Sequence, residues 1–179
     1  MSYAANGYAQ ALYALGQEEQ QTEAYLKELT ALQESFSREP EFYRLLASPN
    51  LSKAERCQII DDSFRGKLQP YVLNFLKILT EKGQIRLFPD CCRAFGAQYD
   101  KDNGILRVCA VTATELTEVQ AQKLTDKLAK STGKTIILCN RIDPACLGGV
   151  RLEYDGICVD GTVEGRLKEL RNMLSNTVL

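Results

Sequence analysis

Histidine is absent from the 179 residues. With it goes the side chain best suited to move protons near neutral pH. Every His-based zinc site and every Ser-His-Asp or Cys-His arrangement is excluded too. Tryptophan is also absent, which excludes little. A basic excess is missing: the net charge is −1 and the pI about 5.7. Nucleic-acid-binding domains usually carry surplus Lys and Arg to neutralise phosphates, so no nucleic acid is expected as a partner. Apolar runs approaching the roughly 18–20 residues that span a bilayer are missing as well. The opening Met1-Ser2-Tyr3-Ala4-Ala5-Asn6 has neither a charged-then-apolar signal pattern nor the Arg-rich character of a transit peptide. Membrane contact is therefore expected only indirectly, through partners.

What is present is ordinary for a globular chain: 45% apolar and 25% charged residues. Cysteine is plentiful, at seven residues: Cys57, Cys91, Cys92, Cys109, Cys139, Cys146 and Cys158. The count is odd and no C-x-x-C pair occurs, so free thiols acting as small apolar residues are expected. Cys91 and Cys92 are adjacent, and adjacent residues diverge by about 100° around a helix. They are not expected to share a ligand.

The chain has two halves with different periodicity. The fold class expected is α+β: a six-helix bundle over 1–103, then a small α/β domain over 104–179. In the first half, Tyr8, Ala11, Leu12 and Leu15 follow helical spacing, and Gly16 is expected to end that helix. Tyr25, Leu26, Leu29, Leu32 and Phe36 form a second stripe, and Pro40 opens a short third helix. Ser52-Lys53-Ala54-Glu55 reads as a capping box for a fourth, stopped at Arg65-Gly66. The fifth spans about Leu68 to Lys82 and is apolar nearly all round, which predicts burial on several sides. The sixth carries Leu87, Phe88, Phe95 and Tyr99.

Asn103-Gly104 marks the change. Ile105 to Val111 reads as a strand, Thr117 to Gln120 as a second capping box, and Thr135 to Cys139 as a short apolar strand. Gly149 to Tyr154, Asp155-Gly156 and Ile157 to Val159 read as a hairpin with a tight turn. A last helix carries Val163, Leu167, Leu170 and Leu174.

Several features imitate chemistry. Gly133-Lys134-Thr135 resembles the end of a phosphate loop, but the glycine required five positions earlier is Leu128. The segment also follows a helix and opens a strand, the reverse of a phosphate loop. A helix C-cap explains it. Asp61-Asp62, flanked by Arg56 and Arg65, reads as a solvated face. Asp155 is explained by turn chemistry, and Asp160 as a carboxylate capping the last helix. No catalytic residue, metal site or cofactor is expected.

Arg141-Ile142-Asp143-Pro144, then Leu147-Gly148-Gly149-Val150, then Asp160-Gly161-Thr162-Val163-Glu164-Gly165-Arg166-Leu167, closely resemble the C-terminal half of ATP synthase δ subunits. This family includes the mitochondrial oligomycin-sensitivity-conferring protein. Tyr8 to Leu12, Asn50 to Lys53, and Leu76 to Phe88 around Lys82-Gly83-Gln84 are similar to the family's first half. Gly149, Asp160, Gly161, Val163 and Leu167 are the signature positions.

The resemblance implies a non-catalytic stator part of an F-type, proton-translocating synthase. It implies a bundle that caps the catalytic head of α and β subunits and holds the α-subunit N-terminal helix. It implies a second domain that grips the b-type peripheral stalk. The acidic pI and opening residues suggest a bacterial type, peripheral at the cytoplasmic face of the cell membrane. An apolar groove with spaced anchors suits such a helix. The expected anchors are Tyr8, Leu12 and Leu15 on the first helix and Phe75, Ile78 and Leu79 on the fifth. The alternative reading is an RNA-binding, antitermination-like helical bundle, which predicts a basic face.

Overall fold

The computed structural model describes residues 3–48, 50–146, 148–154 and 156–161. The described chain divides into two compact units, the division falling between Tyr99 and Asp100. Among the described residues the fold is α+β, with seven α-helices and one four-stranded sheet.

The first unit is helical. Its elements are α1 (Tyr3–Glu18), α2 (Thr22–Arg38), α3 (Pro40–Leu46), α4 (Lys53–Phe64), α5 (Pro70–Glu81), a 3₁₀ turn at Ile85–Leu87, and α6 (Phe88–Asp102), whose end passes the division. Pro40 and Pro70 open α3 and α5, where a missing N–H costs nothing. At α4 the Ser52 side chain accepts from Glu55 N–H, while the Glu55 carboxylate accepts from Ser52 N–H at 2.8 Å. Every helix adds to one apolar core, whose largest fully buried side chains are Tyr25, Phe88 and Phe95. Phe36 anchors it, with ring centroids 5.2 Å from Tyr43 and 5.3 Å from Phe88. The Tyr43 hydroxyl donates to Ile85 O at 2.9 Å, tying α3 to the 3₁₀ turn.

Gly16 does not end α1, which continues to Glu18. It is buried in the last turn, and a Cβ there would stand 3.1 Å from both Thr22 and Tyr25. Its absent side chain allows α2 to pack close, and the helix stops instead near Gln20, at φ 56°.

The second unit is built on β1 (Ile105–Thr112), α7 (Glu118–Thr132), β2 (Thr135–Ile142), a 3₁₀ turn at Pro144–Cys146, β3 (Val150–Tyr154) and β4 (Ile157–Asp160). Strand order is β2-β1-β3-β4. β1 and β2 are parallel, joined by the crossover helix α7, and β3 and β4 are an antiparallel hairpin beside β1. Thr117 caps α7 reciprocally with Gln120, and Gly133 closes it in the left-handed conformation.

β2 is longer than the apolar run Thr135 to Cys139 suggests. Its polar end, Asn140 to Ile142, stays in the ladder opposite Ala110 to Thr112. Asn140 explains this: its Nδ2 donates to Ala110 O and Thr112 Oγ1, both at 2.8 Å, and its Oδ1 accepts from Leu116 N–H at 2.9 Å. β1 is the central buried strand, with Val108, Ala110 and Val111 at most 1% exposed.

Candidate functional site

α1 and α5 lie side by side and antiparallel. The Tyr71 hydroxyl reaches Glu19 Oε1 at 3.4 Å. The Lys82 ammonium sits 5.5 Å above the Tyr8 ring centre, a cation–π contact. The two ties join opposite ends of the pair, and each helix spaces its two partners by eleven residues. Interpolating between them sets Leu12 opposite Ile78 and Leu15 opposite Phe75. Along α1 the set is Tyr8, Leu12 and Leu15, continued by Glu19 just past its end; along α5 it is Tyr71, Phe75 and Ile78, continued by the C-cap Lys82. Each follows the steps i, i+4, i+7, i+11, which keeps it within an arc of about 60°.

Burial divides these positions into a floor and two rims. Leu12 and Phe75 are buried and form the floor. Tyr8 and Leu15 are half-buried, while Ile78 is 43% and Tyr71 38% exposed. α5 is thus not enclosed on all sides, as its composition suggests. Its other flank is held by α4, where Lys77 Nζ lies 2.6 Å from Asp61 Oδ1. That hydrogen bond, more than the nearby Arg65 guanidinium, holds the Asp61 carboxyl below its usual range.

The anchors expected from the sequence therefore separate. By this interpolation Tyr8, Leu12, Leu15, Phe75 and Ile78 fall along one line between the two helices. Leu79, 0% exposed, points away into the core and presents nothing to a partner. Tyr71 and Lys82, which were not among the expected anchors, flank the same line. Tyr71 stands one turn before Phe75 on the same stripe, so the spacing rule that found Phe75 also reaches it.

Of the signature positions, Gly149 adopts φ 87°, a left-handed conformation that disfavours a side chain. Gly161 donates its N–H to Val150 O at 3.0 Å, and a Cβ there would stand 2.9 Å from the same oxygen. Asp160 is the last residue of β4, opposite Arg151 in the ladder. The helix it was expected to cap, with Val163 and Leu167, lies outside the described residues, as do Leu147 and Asp155. The described signature positions, Gly149, Asp160 and Gly161, are turn, strand-end and close-approach positions around the β3–β4 hairpin.

A family model described as ATP synthase delta (OSCP) subunit matches residues 4–174. The chain belongs to this family. Its relatives include an ATP synthase subunit delta of Alkaliphilus oremlandii, 33% identical, with 96% of each chain covered. Another, from Clostridioides difficile, is 31% identical with 97% of each chain covered. A chain of the Toxoplasma gondii mitochondrial ATP synthase hexamer shares the fold, with a TM-score of 0.78 at 22% identity over 97% of this chain and 98% of that one. Family membership makes the protein a non-catalytic, structural δ-type subunit with a stator role in an F-type ATP synthase. It displaces the antitermination-like reading. No helix among the described residues is long and apolar enough to cross a membrane.

Proposed function

We propose that the first unit works as the family's six-helix bundle on the catalytic head, with the α1–α5 seam receiving the N-terminal helix of an α subunit. The second unit then holds the b-type peripheral stalk, and the protein resists torque at the cytoplasmic face of a bacterial membrane. The observation that carries this reading is the seam itself. A buried apolar floor at Leu12 and Phe75 runs between rims that keep Ile78 and Tyr71 exposed. An amphipathic helix laid there would bury those rims with spaced anchors of its own. The α1 flank offers little obstruction: nothing lies within 4 Å of where a Gly7 Cβ would stand. β subunits and the stalk are assigned by the family resemblance alone.

Burying one large apolar side chain stabilises such a contact by about 1.5–3 kcal/mol, or roughly 10- to 100-fold in affinity. Ile78→Glu should therefore weaken binding of an α-subunit N-terminal peptide by that factor in isothermal titration calorimetry. Its circular dichroism and melting temperature should match the wild type, because Ile78 lies outside the core. Unchanged affinity in a folded Ile78→Glu protein would remove the seam as the binding site.

A further inference from the structure

Three of the seven cysteines stand in one row across the sheet. Cys139 on β2 is the direct ladder partner of Cys109 on β1. Cys109 faces Glu153 on β3, and Glu153 faces Cys158 on β4. Ladder partners project to the same side of a sheet, so all four side chains share one face. The Cys139 thiol is exposed and that of Cys109 half-exposed.

We propose that Cys109 and Cys139 form a dithiol site that closes reversibly to a disulfide in the presence of a low-molecular-weight disulfide such as oxidised glutathione.

Distance supports the pairing. Adjacent strands lie about 4.7–4.9 Å apart, inside the roughly 4.4–6.8 Å Cα separation that disulfides tolerate. Cys158 lies two strand spacings from Cys109, beyond that window, so it is a single exposed thiol. The two paired thiols also hydrogen-bond to each other, and this, with partial burial, pushes the Cys109 thiol above its ordinary value. Cys139 is the more exposed of the two and meets the oxidant first.

The remaining thiols are poor competitors. Burial pushes Cys91 up to about 11 and Cys92 up to about 12. Cys57 is raised by burial as well, and Cys146 is buried. A thiolate is the attacking species and must reach the oxidant, so the three raised thiols and the buried Cys146 react slowly.

The exchange balances in two displacements. Cys139 releases its proton and its thiolate attacks one sulfur of the oxidant, forming a mixed disulfide and expelling one glutathione thiolate. Cys109 then loses its proton and attacks Cys139 Sγ, forming the protein disulfide and expelling the second. The two protons end on the two glutathiones; the protein loses two electrons and the oxidant gains them. A link between facing positions of neighbouring strands is exposed and geometrically tight, so excess reduced thiol should reopen it.

The test uses the full-length chain carrying Cys158→Ser, which removes the third exposed thiol. It is incubated with oxidised glutathione, then alkylated with iodoacetamide and mapped by mass spectrometry. The expected result is a protein two hydrogens lighter, with Cys109 and Cys139 both protected and both alkylated after reduction. Adding Cys109→Ser should leave a stable glutathione adduct on Cys139; should that protein not fold, Cys139→Ser must abolish the loss of two hydrogens. A stable adduct on Cys139 while Cys109 is intact would overturn the proposal. So would continued alkylation of both residues after oxidation.

Discussion

The two units are held by different interactions. In the first, each helix contributes side chains to a shared core with an aromatic centre at Phe36. In the second, burial is concentrated on β1 and on Cys146. α7, β2, β3 and β4 have no buried residue among those described. Backbone ladders hold the strands together, with Asn140 and ion pairs such as Arg141–Glu153, at 2.9 Å. Exposed ion pairs contribute about 0–1 kcal/mol each. A core loses stability with each methylene removed, whereas a ladder is nearly indifferent to side chains that do not pack. Substitutions of buried residues should therefore be costly on every helix of the first unit and, in the second, chiefly on β1.

The strongest way to break this contrast is Phe88→Ala. Phe88 is 0% exposed and its ring meets Phe36, so the change should cost about 3–5 kcal/mol in urea denaturation. A loss below about 1 kcal/mol would mean that the helical core is not tightly packed. Next comes a pair within the sheet. Val108→Ala on β1 should cost about 1.5–3 kcal/mol. Ile137→Ala on β2, where the side chain is 41% exposed, should cost less than half as much. Equal costs in thermal melts would erase the distinction between central and edge strands.

Gly161→Ala should cost about 1–3 kcal/mol, because the new Cβ would press on Val150 O and β4 would have to shift. Proteolysis near the β3–β4 hairpin should rise with it, and unaltered digestion would count against a packing role for the signature glycine. The smallest effect concerns pH. Asp61 is held below the ordinary carboxyl value of 3.8 by the Lys77 hydrogen bond, then by Arg65. A depressed carboxyl stabilises the fold above its unfolded value and loses that contribution as pH falls through the folded one. Asp61→Asn should therefore flatten the loss of stability below pH 3.8, with little change from the wild-type slope above it. Denaturation midpoints measured across that window check the sign.

Much of the local structure was legible because its causes are local. The Ser52 and Thr117 capping boxes need only residues three apart, and both form. Pro70 and Gly133 act through their own backbone preferences. Gly16 was misread because the same residue type serves two purposes, ending a helix or admitting a neighbour. Only the position of Tyr25 on α2 decides between them. The polar end of β2 was missed because Asn140 is satisfied by groups 28 and 30 residues away, which no short window contains.

The candidate seam divides along the same line. Helical spacing determined by itself which residues share a stripe: Tyr8, Leu12 and Leu15 on α1, and Tyr71, Phe75 and Ile78 on α5. The missing histidine, also legible at once, excluded every His-based acid–base arrangement. Tertiary packing alone decided which stripe residues reach solvent. Leu79 neighbours Ile78 in the chain, yet one is 0% and the other 43% exposed, because α5 turns by about 100° per residue against neighbours on two flanks. Periodicity is a property of one helix. Exposure depends on what the other helices leave uncovered, and so it was settled only when they packed.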